Sequence, residues 1–322
     1  DGQQWLRAGD LLAANNTTMN DAADSGWISN EFGRLGFFID GTLITSEQDS
    51  TLDENGAEAD AQVLTLGADY HFGEHFIGGL AFSAGFAATD YGRNRGELDT
   101  TSFLLMAYGS YYRGQWYVDA TLALGGDSYE QQRRLSCDSS CVQAFSQTAK
   151  ADFNGNQIAF TLGTGYEWAI GGFSVTPYVQ LASATLDVDG YRESMSDPGG
   201  PGAGFALDIG AQEKDLLTLS VGSQFRYVFS QDWGLIIPHL GLEYLTELDD
   251  DDSVVNGSFV GNIASDDEFT LTTNALDDSY FTISAGLSFQ FRYSAAFIDI
   301  KSWQGNDEVD LLQFTVGWRW EL

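Results

Sequence analysis

The sequence predicts an all-β fold: an up-and-down antiparallel barrel of about twelve strands that crosses a membrane. Three observations carry that reading. Apolar and polar residues alternate with period two in twelve segments, short and long connections alternate between them, and Trp, Tyr and Phe gather beside the short connections.

Composition comes first because it removes whole classes. The chain has 322 residues, 37 of them Gly and 4 Pro, with 14% aromatic and 43% hydrophobic residues. Many strands joined by glycine-bearing turns have this composition. Mean hydropathy is −0.17. No run of eighteen apolar residues occurs, so no transmembrane helix is predicted. A membrane strand needs only about 9–11 residues and hides half of its apolar signal by alternation. The net charge of −33, with 14 basic residues, excludes nucleic acid as a partner.

The twelve candidate strands lie near 34–45, 60–71, 75–87, 98–111, 115–126, 153–168, 172–185, 213–229, 233–246, 279–291, 294–303 and 309–322. HFGEH (71–75), YYRGQW (111–116), WAIGG (168–172), FSQDW (229–233) and FRYS (291–294) are the short connections. Those between them, 46–59, 88–97, 127–152, 186–212 and 247–278, read as long and polar, with a shorter one at 304–308. Bacterial membrane barrels sort their connections this way, with short periplasmic turns and long extracellular loops. An even strand count then predicts both barrel termini on the periplasmic side of the outer membrane of a Gram-negative bacterium.

The strand faces agree. Trp116, Val118, Ala120, Leu122 and Leu124 alternate with Tyr117, Asp119, Thr121, Ala123 and Gly125. Phe281, Ile283, Ala285, Leu287 and Phe289 alternate with Thr282, Ser284, Gly286, Ser288 and Gln290, and Leu312, Phe314, Val316, Trp318 and Trp320 with Gln313, Thr315, Gly317, Arg319 and Glu321. A soluble barrel alternates identically with the opposite sense, so the aromatics decide. Tyr70, Phe76, Tyr111, Trp116, Trp168, Phe173, Tyr227, Trp233, Phe291 and Trp318 all flank short turns. A belt at one level, apolar in body and polar at the edge, suits a membrane–water interface.

Chemistry-bearing residues are few. Cys137 and Cys141 are the only cysteines; a local disulfide, which needs an oxidising compartment, is preferred over two free thiols. Of three histidines, His71 and His75 bracket a turn, an arrangement unlike the helical HExxH that holds a metal. His239 alternates with Ile237, Gly241 and Glu243 on the predicted lumen face, without a nucleophile motif. The acidic run Asp249, Asp250, Asp251 and Asp252 lacks calcium-loop spacing and reads as a solvated loop, with divalent-cation binding as the sharper alternative. No enzyme signature and no cofactor are predicted.

Several stretches are familiar in their pattern. YYRGQWYVDATLALG (111–125), GYEWAIGGFSVTPYVQL (165–181), DVDGYRES (187–194), WGLIIPHLGLEYLTELDDD (233–251) and the closing FTVGWRWEL (314–322) resemble the translocator β-domain of type V autotransporters. The resemblance runs over about 34–322 and is a diffuse pattern without one diagnostic motif. It implies a twelve-stranded barrel that translocates or anchors an N-terminal passenger at the cell surface. It also implies, as partners, outer-membrane lipid and lipopolysaccharide, the barrel-assembly machinery and that passenger, around a monomeric barrel. Gly317, Trp320 and Leu322 fall where the family carries its assembly signal, although Leu322 stands where an aromatic is usual. In the family the segment corresponding to 1–33 is a helix or linker threading the lumen. Some members cleave themselves there between two asparagines; Asn15 and Asn16 are the candidates, in AANNTTMN, which departs from that subgroup's motif. The alternative function is a stand-alone outer-membrane channel with 1–33 as a short plug.

The facing can be tested at two adjacent residues. Leu122→Arg puts a charge on the lipid face and should cost roughly 2–4 kcal/mol and reduce assembly, whereas Thr121→Arg on the lumen face should assemble well. Equal yields of heat-modifiable barrel for the two variants would reverse the assignment of faces.

Overall fold

The computed structural model describes residues 34–50, 56–138, 140–248, 254–261, 268–272, 279–306 and 309–322. Twelve strands form one closed antiparallel sheet. They are Leu35–Gln48, Ala57–His71, Phe76–Tyr91, Gly96–Arg113, Trp116–Cys137, Phe145–Tyr166, Phe173–Val188, Gln212–Tyr227, Gly234–Glu247, Ser279–Gln290, Ser294–Gln304 and Val309–Glu321, counted below as first to twelfth. Each pairs with its neighbours along the chain, and the first pairs with the twelfth from Gly36↔Glu321 to Gln48↔Val309. Closure leaves the sheet without an open edge, which hydrocarbon would not tolerate because no water is there to satisfy the exposed N–H and C=O groups.

The faces sort as the alternation predicts. Leu43, Leu64, Leu66, Leu80, Phe82, Leu105, Leu122, Leu124, Phe160, Leu162 and Val316 are all exposed on the outside, while Thr42, Thr65, Ser83, Thr176 and Thr315 are buried on the inside. Leu122 is 43% exposed and its neighbour Thr121 faces the lumen. The tight turns at the short-connection end use Gly114 and Gly171 with φ of 68° and 66°, left-handed values that cost a glycine little.

Several connections differ from the sequence reading. The segment 127–152 is mostly strand: the fifth and sixth strands remain paired up to Cys137↔Phe145. The predicted 88–97 loop shrinks likewise, because the third and fourth strands pair out to Tyr91↔Gly96. Loops 186–212 and 247–278 contain a separate four-stranded sheet, ordered Glu268–Thr272, Val254–Phe259, Leu207–Ile209, Tyr191–Arg192. These extensions were hidden because their alternation has the opposite sense. Below Leu124↔Ile158 the fifth and sixth strands are apolar outside; above it Tyr129, Ala149, Ala151 and Phe153 point in and are buried, while Glu130, Lys150, Asp152 and Asn154 point out. The same period-two pattern thus faces lipid along one stretch of strand and water along the next.

A second regularity lies on the lumen face. Bulky side chains sit directly across from glycines on the adjoining strand: Phe38↔Gly67, Tyr108↔Gly79, Tyr117↔Gly165, Tyr178↔Gly222, His239↔Gly286 and Phe297↔Gly317. A Cβ built on Gly222 would lie 2.5 Å from the Tyr178 ring, so the ring occupies the space the glycine leaves open. Gly222→Val should therefore lower the temperature at which the barrel loses heat-modifiable migration, and Tyr178→Ala in the same chain should recover part of the loss. Strictly additive losses would show that the ring and the glycine do not share that space.

Candidate functional site: the lumen and its long-loop mouth

Rows of hydrogen-bonded residues run around the lumen wall, and three of them use those glycines. In one row Tyr108 of the fourth strand passes over Gly79 of the third and donates its hydroxyl to Asp69 Oδ2 of the second at 2.9 Å. In another, Tyr178 of the seventh strand passes over Gly222 of the eighth and donates to Glu243 Oε2 of the ninth at 2.9 Å. His239 of the ninth passes over Gly286 to lie 2.8 Å, Nε2 to Oδ2, from Asp299 of the eleventh. In each, a long polar side chain crosses a strand that has no side chain in the way.

Two of the acids at the ends of these rows meet a cation, and Asp127 is held by neutral donors. Arg319 of the twelfth strand forms a fork on Asp69, with Nη1 donating to Oδ2 at 2.7 Å and Nη2 to Oδ1 at 2.6 Å. It lies over Gly36 of the first strand, so this pair bridges the closing seam. Lys301 donates to Glu243 at 3.3 Å, as does the Thr282 hydroxyl. Asp127 accepts from Ser102 on one side and from Gln157 at 2.8 and 3.0 Å on the other. The wall is not polar throughout: Phe38, Leu104, Met106 and Leu216 form an apolar patch, and Ile44, Val63, Leu245, Trp303 and Leu311 form a second. The ion pairs Arg319–Asp69 and Lys301–Glu243 tie strands of the wall together. The dominant contribution of this arrangement is mechanical.

At the long-loop end the loop 189–211 is docked onto the extended hairpin. Arg133 forks onto Glu193 at 2.8 and 2.6 Å and donates to the Phe205 carbonyl at 2.9 Å. Glu193 also accepts from the Leu207 amide at 2.8 Å. Phe153 stacks on Tyr191 with centroids 4.2 Å apart, and Phe205 on Phe145 at 5.6 Å.

The residues singled out from the sequence fall as follows. Cys137 and Cys141 are disulfide-bonded at the hairpin tip, with Cα atoms 6.0 Å apart. The aromatics beside the short turns form several separate runs of touching rings. Trp116 contacts Tyr166 at 4.9 Å and Tyr166 contacts Trp168 at 5.3 Å; in another run Trp233, Phe291, Trp318 and Trp320 follow one another at 5.4, 5.9 and 6.1 Å. Tyr70, Phe76, Tyr111, Phe173 and Tyr227 are likewise exposed at this end. Gly317 lies under the Phe297 ring, while Trp320 and Leu322 are exposed. His71 turns into the lumen and His75 sets its ring against Tyr111, so the two imidazoles diverge. His239 Nε2 lies 2.8 Å from Asp299 Oδ2, while Glu243, four positions along the same strand, meets Tyr178, Thr282 and Lys301. Asn15, Asn16 and Asp249 to Asp252 lie outside the described residues. Sequence reading passed over Asp69, Tyr108, Tyr178, Arg319 and Lys301. Their only signal was a long polar or charged residue in lumen register, and Asp69 and Arg319 are 250 positions apart.

A closed twelve-stranded barrel with an apolar exterior has the architecture of an outer-membrane β-barrel. The model of the autotransporter β-domain family matches residues 37–298, and the chain belongs to that family. A search of curated proteins found no match. Among solved structures, the translocator domain of the autotransporter NalP from Neisseria meningitidis is similar at a TM-score of 0.69 and 15% identity, with 97% of this chain and 98% of that one covered. The β-domain of the Bordetella autotransporter BrkA gives 0.59 at 14% identity, covering 90% and 100%. The transport unit of AIDA-I from Escherichia coli gives 0.52 at 10%, covering 96% and 97%. At these identities the likeness is one of fold.

The seam bridge makes a quantitative prediction. The side chains of Arg319 and Asp69 are only 7% and 2% exposed. Arg319→Met leaves a buried carboxylate unpaired and should cost roughly 3–5 kcal/mol. Adding Asp69→Leu should restore much of the loss, read as the midpoint of heat-modifiable migration. A double variant as unstable as the sum of the singles would refute the coupling.

Proposed function

We propose that this barrel is the outer-membrane translocator and anchor of an autotransporter, exporting or displaying a passenger attached N-terminal to it. The observation that carries the reading is where the first strand starts. Leu35 exchanges backbone hydrogen bonds with Leu322 at the short-turn end, at 2.9 and 3.4 Å. In this reading the short-turn end faces the periplasm, as in bacterial barrels generally. Whatever precedes the barrel then begins on the periplasmic side and reaches the surface through the lumen. Residues 1–33, which lie outside the described residues, are in this reading the segment that threads the lumen. Family membership supports the same reading, and the paired wall charges suit a conduit that must not hold its cargo. Lipid, lipopolysaccharide and the assembly machinery are the partners this implies.

The test is display. An epitope placed ahead of Asp1, behind an export signal, should become accessible to antibody on intact Gram-negative cells when the barrel is heat-modifiable in the outer membrane. An assembled barrel whose epitope stays shielded until the cells are permeabilised would sink the proposal. Conductance separates the channel alternative: a translocator plugged by 1–33 should conduct in planar bilayers only after that segment is removed, whereas a passive channel conducts with it present.

A further inference from the structure

The feature that translocation leaves unused is a cavity at the long-loop end. Its volume is about 830 Å³, within the range of small-molecule sites, and it lies between the extended hairpins and the docked loops. Four of the chain's 14 basic residues, Arg93, Arg95, Arg133 and Arg134, line it. In a protein of net charge −33 such a concentration of guanidinium groups is uneven. Phe259 and Phe269 of the small sheet supply an apolar side, with ring centroids 5.9 Å apart.

The four arginines are not equivalent. Arg133 is engaged by Glu193, which also lines the cavity, and Arg134 pairs with Glu97 at 3.3 Å in a largely exposed contact. Arg93 and Arg95 are exposed and form no ion pair among the described residues. Arg93 has a φ of 61°, making it the sole non-glycine at positive φ among the described residues. Asn or Gly would hold that conformation at lower cost, so the fold accepts strain to keep a guanidinium there. Guanidinium groups beside aromatic rings, in a volume of this size, match one ligand chemistry: a phosphate monoester on an apolar body. The forks of Arg93 and Arg95 match phosphate oxygens, and the phenylalanines take the body.

We propose that this cavity is a binding site for such a phosphorylated amphiphile, presented either by a lipid headgroup of the outer leaflet or as a soluble aryl or alkyl phosphate. The proposal does not depend on passenger export.

The experiment uses the full chain in a neutral maltoside detergent, titrated calorimetrically with 1-naphthyl phosphate. One-to-one binding is expected, at least tenfold tighter than to 1-naphthol or to inorganic phosphate. Arg93→Asn with Arg95→Gln should weaken it tenfold or more. The charge-matched pair Arg113→Gln with Arg292→Gln, on short turns at the far end, should leave it unchanged. Phe269→Ala, which keeps every arginine, should weaken naphthyl phosphate but not inorganic phosphate. Heat-modifiable migration of each variant verifies that it has folded. Competition by diphosphoryl lipid A identifies the lipid source, and binding that lipid A does not displace identifies the soluble one. No saturable binding, equal affinity for 1-naphthol, or equal loss in the two arginine pairs would overturn the proposal.

Discussion

The hydrogen-bonded seam between the first and twelfth strands is the constraint on which the structure depends, since a twelve-stranded sheet in hydrocarbon can persist only if its two edges satisfy each other. That pairing fixes the remaining geometry. It sets the chain's entry and exit at one end, and it brings Arg319, near the end of the chain, over Gly36 and onto Asp69. A backbone requirement imposed by the solvent is thereby reinforced by a buried ion pair across the same line.

The lumen follows from the seam and from glycine. With every strand held in register, a bulky ring reaches the second strand away where the strand between has no side chain in its path. Gly79, Gly222 and Gly286 provide those passages for Tyr108, Tyr178 and His239. The acids they reach are thereby spent within the wall, and the charge of −33 resides mainly elsewhere.

The fifth and sixth strands show one sheet meeting two solvents. Up to Leu124↔Ile158 the outer face is apolar against lipid; beyond, Tyr129 and Phe153 turn inward and the hairpin has the apolar interior of a water-soluble protein. This inner surface seats the small sheet and the loop carrying Glu193. The arginine-lined cavity exists because the hairpin continues past the membrane instead of ending in a loop at 127, as its polar composition suggested.

Twelve strands, their order and the lipid-facing side were legible in the residues, because period-two patterning and the aromatic belt record the solvent each face meets. Leu122 and Thr121 declare their sides locally. The extensions at 127–137 and 145–152 were not legible, since alternation is the same whichever face is dry, and the two- to six-residue strands of the small sheet are too short to show a period. The partners in the lumen were legible only as classes: Glu243 and His239 read as lumen residues, but which cation, acid or hydroxyl each would meet depends on strand register and on distant glycines. Local sequence determined what each strand would face. Only closure of the sheet, which joins residues 250 positions apart, decided what each side chain would touch.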